Sequence, residues 1–174
     1  MMTANRDFTI AKSSEIEGTG LFAKKVIPKG TRIIEYEGLR VPKADLLHDL
    51  ANGLMSMIYV MQLNESMVID AGREGNDARF INHSCAPNCE VLSFNETPYI
   101  YAMQEISQGE ELSYDYKLGF DGEVDIPIVQ KKEWFPCNCG ANSQNCSSTS
   151  VCTAIAWKPL FLLYNRYVHF TIEA

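Results

Sequence analysis

The run Arg79-Phe80-Ile81-Asn82-His83-Ser84-Cys85-Ala86-Pro87-Asn88-Cys89 concentrates the side chains of this chain best suited to binding. Asn, Ser and Pro favour turns and bond locally to their own backbone, so the run is poor as a helix and poor as a strand. Its residues are better explained by what their side chains can do. Asn82 and His83 can hold a polar ligand, and Cys85 can reach a metal. Tyr114-Asp115-Tyr116 follows further along the chain. If these residues close a strand, Tyr114 and Tyr116 share a face, and Tyr59 is a further candidate for that face. Taken alone, such tyrosines are equally core aromatics with satisfied hydroxyls.

Six cysteines stand at 85, 89, 137, 139, 146 and 152. Four of them crowd into residues 137–152, which in a reducing compartment reads as a metal site rather than disulfides. Cys137-Asn138-Cys139 followed by Cys146 supplies three thiolates, and a tetrahedral zinc site needs a fourth ligand. Cys85 can provide it, in which case the metal staples the C-terminal segment onto the Asn-His-Ser-Cys run. Cys152 is an alternative to Cys146. Buried thiols without metal are the plainer reading. Gly18-Thr19-Gly20 lets backbone approach a ligand closely, although a hairpin uses glycines in the same way.

The elements that must position these groups are short. The chain has 174 residues, 46% hydrophobic and 21% charged, which fits one domain with a real core. Phe8–Lys12, Leu21–Ala23, Thr31–Tyr36, Ile58–Leu63, Met67–Ile69, Cys89–Phe94, Tyr99–Met103 and Glu111–Tyr114 read as strands. Asn95-Glu96-Thr97-Pro98 is the expected turn of one hairpin, and Glu17-Gly18-Thr19-Gly20 that of another. One helix opens at Pro42-Lys43-Ala44-Asp45, with Leu46, Leu47 and Leu50 as its apolar face, and stops at Asn52-Gly53. The expected fold is mainly β, built of several small twisted sheets with little helix. Residues 117–136 have loop composition, and 153–174 form an apolar tail too short in its apolar core to span a bilayer.

Net charge is −7. This argues against a broad phosphate-binding face and against direct nucleic-acid binding. It suits a basic partner, or solubility alone. Glu110, Glu111, Asp121, Glu123 and Asp125 are candidates for an acidic groove. No membrane span is expected, and the first residues carry no apolar signal segment, so an intracellular protein is expected.

Together these motifs resemble the SET-domain protein lysine methyltransferases over residues 8–146. Gly18-Thr19-Gly20-Leu21-Phe22-Ala23 is similar to the family's first cofactor loop, and Tyr36-Glu37-Gly38 to its next strand end. Ile69-Asp70-Ala71 with Gly75 to Asn88 resembles its central signature, Gly109 to Tyr116 its last motif, and Cys137-Asn138-Cys139-Gly140 its post-SET zinc motif. The wording Tyr-Asp-Tyr-Lys and Cys-Asn-Cys-Gly is most similar to the trithorax and Set1 branch. The interval from Cys139 to Cys146 is longer than the family's by two residues, which a loop tolerates.

The resemblance implies a SET domain at 8–116, a connection at 117–136 and a post-SET zinc segment at 137–152. It implies a C-terminal pseudoknot, S-adenosylmethionine as methyl donor, and a lysine of a basic peptide such as a histone tail as acceptor. By match, Tyr116, Tyr114 and Tyr59 are the catalytic candidates. Gly18, Thr19, Gly20, Leu21, Tyr59, Arg79, Asn82, His83 and Tyr116 are candidates for the donor pocket, and Cys85, Cys137, Cys139 and Cys146 for zinc. A tyrosine at 114 implies mono- or dimethylation. Activating partner proteins and a nuclear location follow from the same likeness. A binding module that has lost turnover, or a methyltransferase of non-histone proteins, is the alternative.

Overall fold

The computed structural model describes residues 7–51, 59–116 and 139–141. Residues 117–136, Cys137, Cys146, Cys152 and the tail 153–174 lie outside them, so the expectations placed there have no structural account. The chain order is β1 (Thr9–Ser13), β2 (Thr19–Ala23), β3 (Arg32–Glu35), β4 (Leu39–Pro42), α1 (Lys43–Ala51), β5 (Val60–Gln62), β6 (Met67–Asp70), a 3-10 turn at Asp77–Phe80, β7 (Asn82–His83), β8 (Cys89–Phe94), β9 (Thr97–Ala102) and β10 (Ser113–Tyr114). The strands form a pair β1-β2, a three-stranded sheet β4-β6-β5 and a five-stranded sheet β3-β9-β8-β10-β7. Small sheets and one α-helix among the described residues match the fold class read from the sequence.

Alternation writes the strands. In β9, Pro98, Ile100 and Ala102 are buried while Tyr99 and Tyr101 stay half-exposed, the two-residue period of a sheet with one covered face. The inward set meets Leu21, Ile27, Ile81, Ile106 and Leu112, all essentially without exposure. Each such side chain contributes about 1.5–3 kcal/mol, so this core outweighs the two- and three-residue ladders that run through it. Isolated bridges Phe22↔Glu111 and Ile27↔Ile106 tie the β2 region to the segment that leads into β10.

Three local outcomes differ from the sequence reading. The β8–β9 turn is tighter than expected. It uses only Asn95 and Glu96, both left-handed at φ 50° and 58°, the geometry of a two-residue hairpin turn, and Thr97 and Pro98 belong to β9. Leu39–Pro42 forms β4, which pairs antiparallel with β6. Asn82-His83, expected to be neither helix nor strand, forms β7. Composition misleads there because the strand is only two residues long and is held by its partner, not by its own propensity.

That partner is β10. Tyr114 lies opposite His83 of β7 on one side and Cys89 of β8 on the other, parallel to both. Parallel neighbours normally need a connection of about a dozen residues or more. β7 and β8 are not neighbours, since β10 lies between them, and residues 84–88 alone join the two. The polar residues of the run fasten this crossing. Asn88 Oδ1 accepts from the Ser113 N–H at 2.9 Å, and Asn88 Nδ2 donates to the Glu111 carbonyl at 2.8 Å and to Glu110 Oε1 at 2.9 Å. Ser84 N–H donates to the Tyr114 carbonyl at 3.2 Å. This is the pseudoknot the resemblance implied.

Asn88→Ala would strand a buried amide and a carbonyl, so it should cost about 2–3 kcal/mol. Urea unfolding reads this as a lower midpoint at unchanged slope. A change under about 0.5 kcal/mol would mean the crossing does not depend on Asn88.

Candidate active site

The crossing brings tyrosines together. The Tyr114 and Tyr116 rings lie 4.8 Å apart, centroid to centroid, sharing a face as their spacing predicts. Tyr116 Oη donates to the Ile81 carbonyl at 2.8 Å, and its ring meets His83 edge-on at 5.3 Å. Tyr36, just beyond β3, completes the group. It is buried, and its hydroxyl donates to the Tyr59 carbonyl at 3.1 Å. Burial, then the neighbouring Tyr116, Asp70 and Tyr59, push the Tyr36 phenol above its ordinary value. Burial, then Tyr36 and Tyr116, raise Tyr114 in the same way. Tyr36 and Tyr114 therefore stay neutral hydrogen-bonding groups in a place that disfavours charge.

The sequence alone does not single out Tyr36 as a site residue. In the sequence it ends a β-branched run and looks like core; only the pairing of β3 with β9 carries it to the crossing. Tyr59 is held differently from Tyr114 and Tyr116. Its ring packs edge-on against Phe80 at 6.1 Å, with the Arg79 guanidinium 5.7 Å from its centre. Arg79 Nη1 donates to the Ala71 carbonyl at 3.2 Å, while Arg79 Nε is buried with no hydrogen-bond acceptor.

His83 is fixed by the same crossing. Its Nδ1 accepts from the Tyr116 N–H at 3.2 Å, so in a neutral ring the proton sits on Nε2, which lies 3.4 Å from Cys85 Sγ. Burial lowers the pKa of His83, and Asp115, with Oδ1 at 3.8 Å, opposes that shift only weakly. A neutral imidazole is thus the favoured form.

The first glycine loop lies against the other end of the run. Gly18 has φ +44°, which a glycine adopts without strain. Thr19 is exposed and begins β2. Asn82 Nδ2 donates to the Glu17 carbonyl and to Ser14 Oγ, both at 3.1 Å, and lies 3.4 Å from the Thr19 carbonyl. Leu21 is fully buried, and its carbonyl accepts from the Leu112 N–H at 2.8 Å. Its side chain supports the loop from the core. Glu110 and Glu111, read as part of an acidic groove, instead bond inward. Glu110 takes Asn88 and the Ser107 N–H, and Glu111 takes Asn82 and Ser14. Asp121, Glu123 and Asp125 lie outside the described residues.

Of the four candidate metal ligands, Cys85 and Cys139 are described, and they meet. The Cys85 N–H points to Cys139 Sγ at 3.5 Å across 54 residues of sequence. No cluster of three or more metal-binding side chains occurs among the described residues. Cys89 is buried in the core, its thiol pushed up to about 12 by burial, which suits packing rather than metal binding.

Known proteins are similar to this chain over the residues that build the site. The SET domain family matches residues 18–117. Over 134 residues, 74% of this chain, the sequence is 40% identical to histone-lysine N-methyltransferase 2B of Homo sapiens, of which it covers 5%. It is 36% identical over 143 residues, 78% of the chain, to histone-lysine N-methyltransferase trithorax of Drosophila virilis, covering 3% of that protein. It is 40% identical over 135 residues, 73% of the chain, to the H3 lysine-4 specific histone-lysine N-methyltransferase of Chaetomium globosum, covering 12% of it. The chain therefore spans only a small part of the length of these curated relatives. With the family match running from the Gly18 loop through the crossing of β10 to the tyrosines beyond it, the chain belongs to the SET-domain family.

Proposed function

We propose that this chain is a protein lysine methyltransferase that uses S-adenosylmethionine and acts on a lysine of a histone tail. The observation that carries the reading is the tyrosine group at the crossing, Tyr36, Tyr114 and Tyr116, next to the Asn82 that bonds the Gly18 loop. Family membership and three relatives named histone-lysine N-methyltransferases support it.

The donor, when bound, supplies a methyl group on a sulfonium. The chain's task is then alignment more than acid–base power. Gly18, Thr19 and Gly20 would offer backbone, and Asn82, His83, Tyr59 and Tyr116 would border the pocket. Arg79 Nε, buried without an acceptor, suits an acceptor atom of a ligand. A lysine with a solution pKa near 10.4 arrives protonated. A dry aromatic channel disfavours its ammonium and lowers that value. Tyr116 would orient the amine. Tyr114, whose phenol stays neutral, would occupy space beside it and hold a water, which limits the product to mono- or dimethyl-lysine. Net charge of −7 suits a basic peptide. A chromatin substrate places the protein in the nucleus, and activating partner proteins fit the branch it resembles.

Zinc would be held by Cys85, Cys137, Cys139 and Cys146. The approach of Cys139 to Cys85 and the His83 Nε2 contact with Cys85 Sγ support a thiolate there. Such a site would pin the post-SET segment beside the tyrosines.

Two measurements test these readings. Mass spectrometry of core histones incubated with labelled donor should show mono- and dimethyl-lysine. Tyr116→Phe should lower the rate about a hundredfold through lost alignment, while Tyr114→Phe should add trimethyl product. Mainly trimethylated product from the unaltered chain would refute the Tyr114 role, and full activity of Tyr116→Phe the Tyr116 role. A strong chelator should lower activity more than it lowers the urea midpoint. Equal losses would count against the zinc site's place beside the tyrosines.

A further inference from the structure

Glu111 is a half-buried carboxylate that bonds to two other stretches of the chain. Glu111 lies two residues before Ser113 of β10, and its side chain turns toward the first glycine loop. Ser14 Oγ lies 2.7 Å from Glu111 Oε1 and 2.9 Å from Oε2, so the hydroxyl donates to the carboxylate. The same Ser14 Oγ accepts from the Ile16 N–H at 2.9 Å and lies 3.4 Å from the Glu17 N. That turn is closed again by Ser14 N–H donating to the Gly18 carbonyl at 3.0 Å. Asn82 Nδ2 donates to Glu111 Oε1 at 2.8 Å. One carboxylate therefore joins three separate stretches: the loop before β2, β7, and the segment entering β10.

Gly20 has a physical reason within this arrangement. A Cβ built there would lie 2.3 Å from Glu111 Oε1, 2.8 Å from its carboxyl carbon and 2.9 Å from Ser14 Cβ. Gly18, by contrast, would meet nothing within 4 Å. The two glycines thus do different things. Gly18 provides a left-handed turn, and Gly20 makes room for the carboxylate. An anion accepting from both a hydroxyl and an amide holds its partners more firmly than a neutral acceptor would, and the half-buried setting weakens competition from water.

We propose that Glu111 is a positioning residue for the methyl donor: through Ser14 it fixes the shape of the loop from Ser14 to Gly18, and through Asn82 it fixes that loop's distance from β7. This rests on the reading of that loop as the donor's pocket. It assigns Glu111 and Ser14 to donor affinity rather than to peptide recognition, although an acidic residue near the lysine channel would ordinarily be read as a contact for the basic substrate.

Isothermal titration with S-adenosylmethionine on the whole chain tests this without relying on turnover. Glu111→Ala and Ser14→Ala should each weaken donor binding about tenfold, and the double variant should be little worse than the weaker single, as expected for residues acting through one contact. Glu111→Gln, which keeps an acceptor oxygen, should recover most of the loss, and the KM for histone peptide should change less than twofold. Ser14→Ala keeps the test open if Glu111→Ala folds poorly. Donor affinity unchanged in Ser14→Ala, or a loss confined to peptide KM, would overturn the assignment while leaving the donor site intact. An unaltered chain that binds no donor would overturn the donor-site reading itself, and the assignment with it.

Discussion

Everything in this fold that bears on chemistry depends on the passage of β10 between β7 and β8. The strand has two residues, far too few to be stable by ladder hydrogen bonds worth about 1 kcal/mol each. It is held by what surrounds it. Leu112, fully buried, anchors it in the core. Asn88 bonds the Ser113 amide and the Glu111 carbonyl, and His83 takes the Tyr116 amide. These contacts bring residues 82–88 and 110–116 into one unit, although residues 89–109 separate them in sequence.

The crossing explains why polar residues are buried in a domain that otherwise follows simple patterning. His83, Ser84, Asn88 and Ser113 are all nearly inaccessible, and burying such groups is costly unless they are paired. Each is placed where a backbone group of the crossing needs a partner or where it can pair with a neighbour. The same geometry leaves the phenols of Tyr36 and Tyr114 in a setting that keeps them neutral. Stability and the candidate chemistry thus share residues: Asn82 and Glu111 hold the loop, and His83 holds Tyr116.

How legible this was in the sequence follows from what sets each feature. Strands such as Cys89–Phe94 and the Tyr99–Ala102 part of β9 were visible because their signals are local, and α1 because its start residues are local. The approach of Cys139 to Cys85 was legible from ligand chemistry and resemblance. β7 was not, because its strand character comes from β10. Tyr36 was not, because a buried phenol beside the site and one in a core have the same sequence signature. Glu111 was read as part of an acidic groove, since only the fold brings Ser14 and Asn82 to it across 97 and 29 residues. Gly20 looked like a ligand-approach glycine, and its neighbour proved to be that same carboxylate.

Amide hydrogen exchange tests the dependence on the crossing most directly. The N–H groups of Ser84, Ser113 and Tyr116 donate to Tyr114, Asn88 and His83 respectively. The account predicts that they exchange as slowly as the amide of Ile100 in β9, flanked by β3 and β8, opening only when the whole domain unfolds. Fast exchange at these three amides, with Ile100 still protected, would show that the crossing opens on its own and would contradict the account.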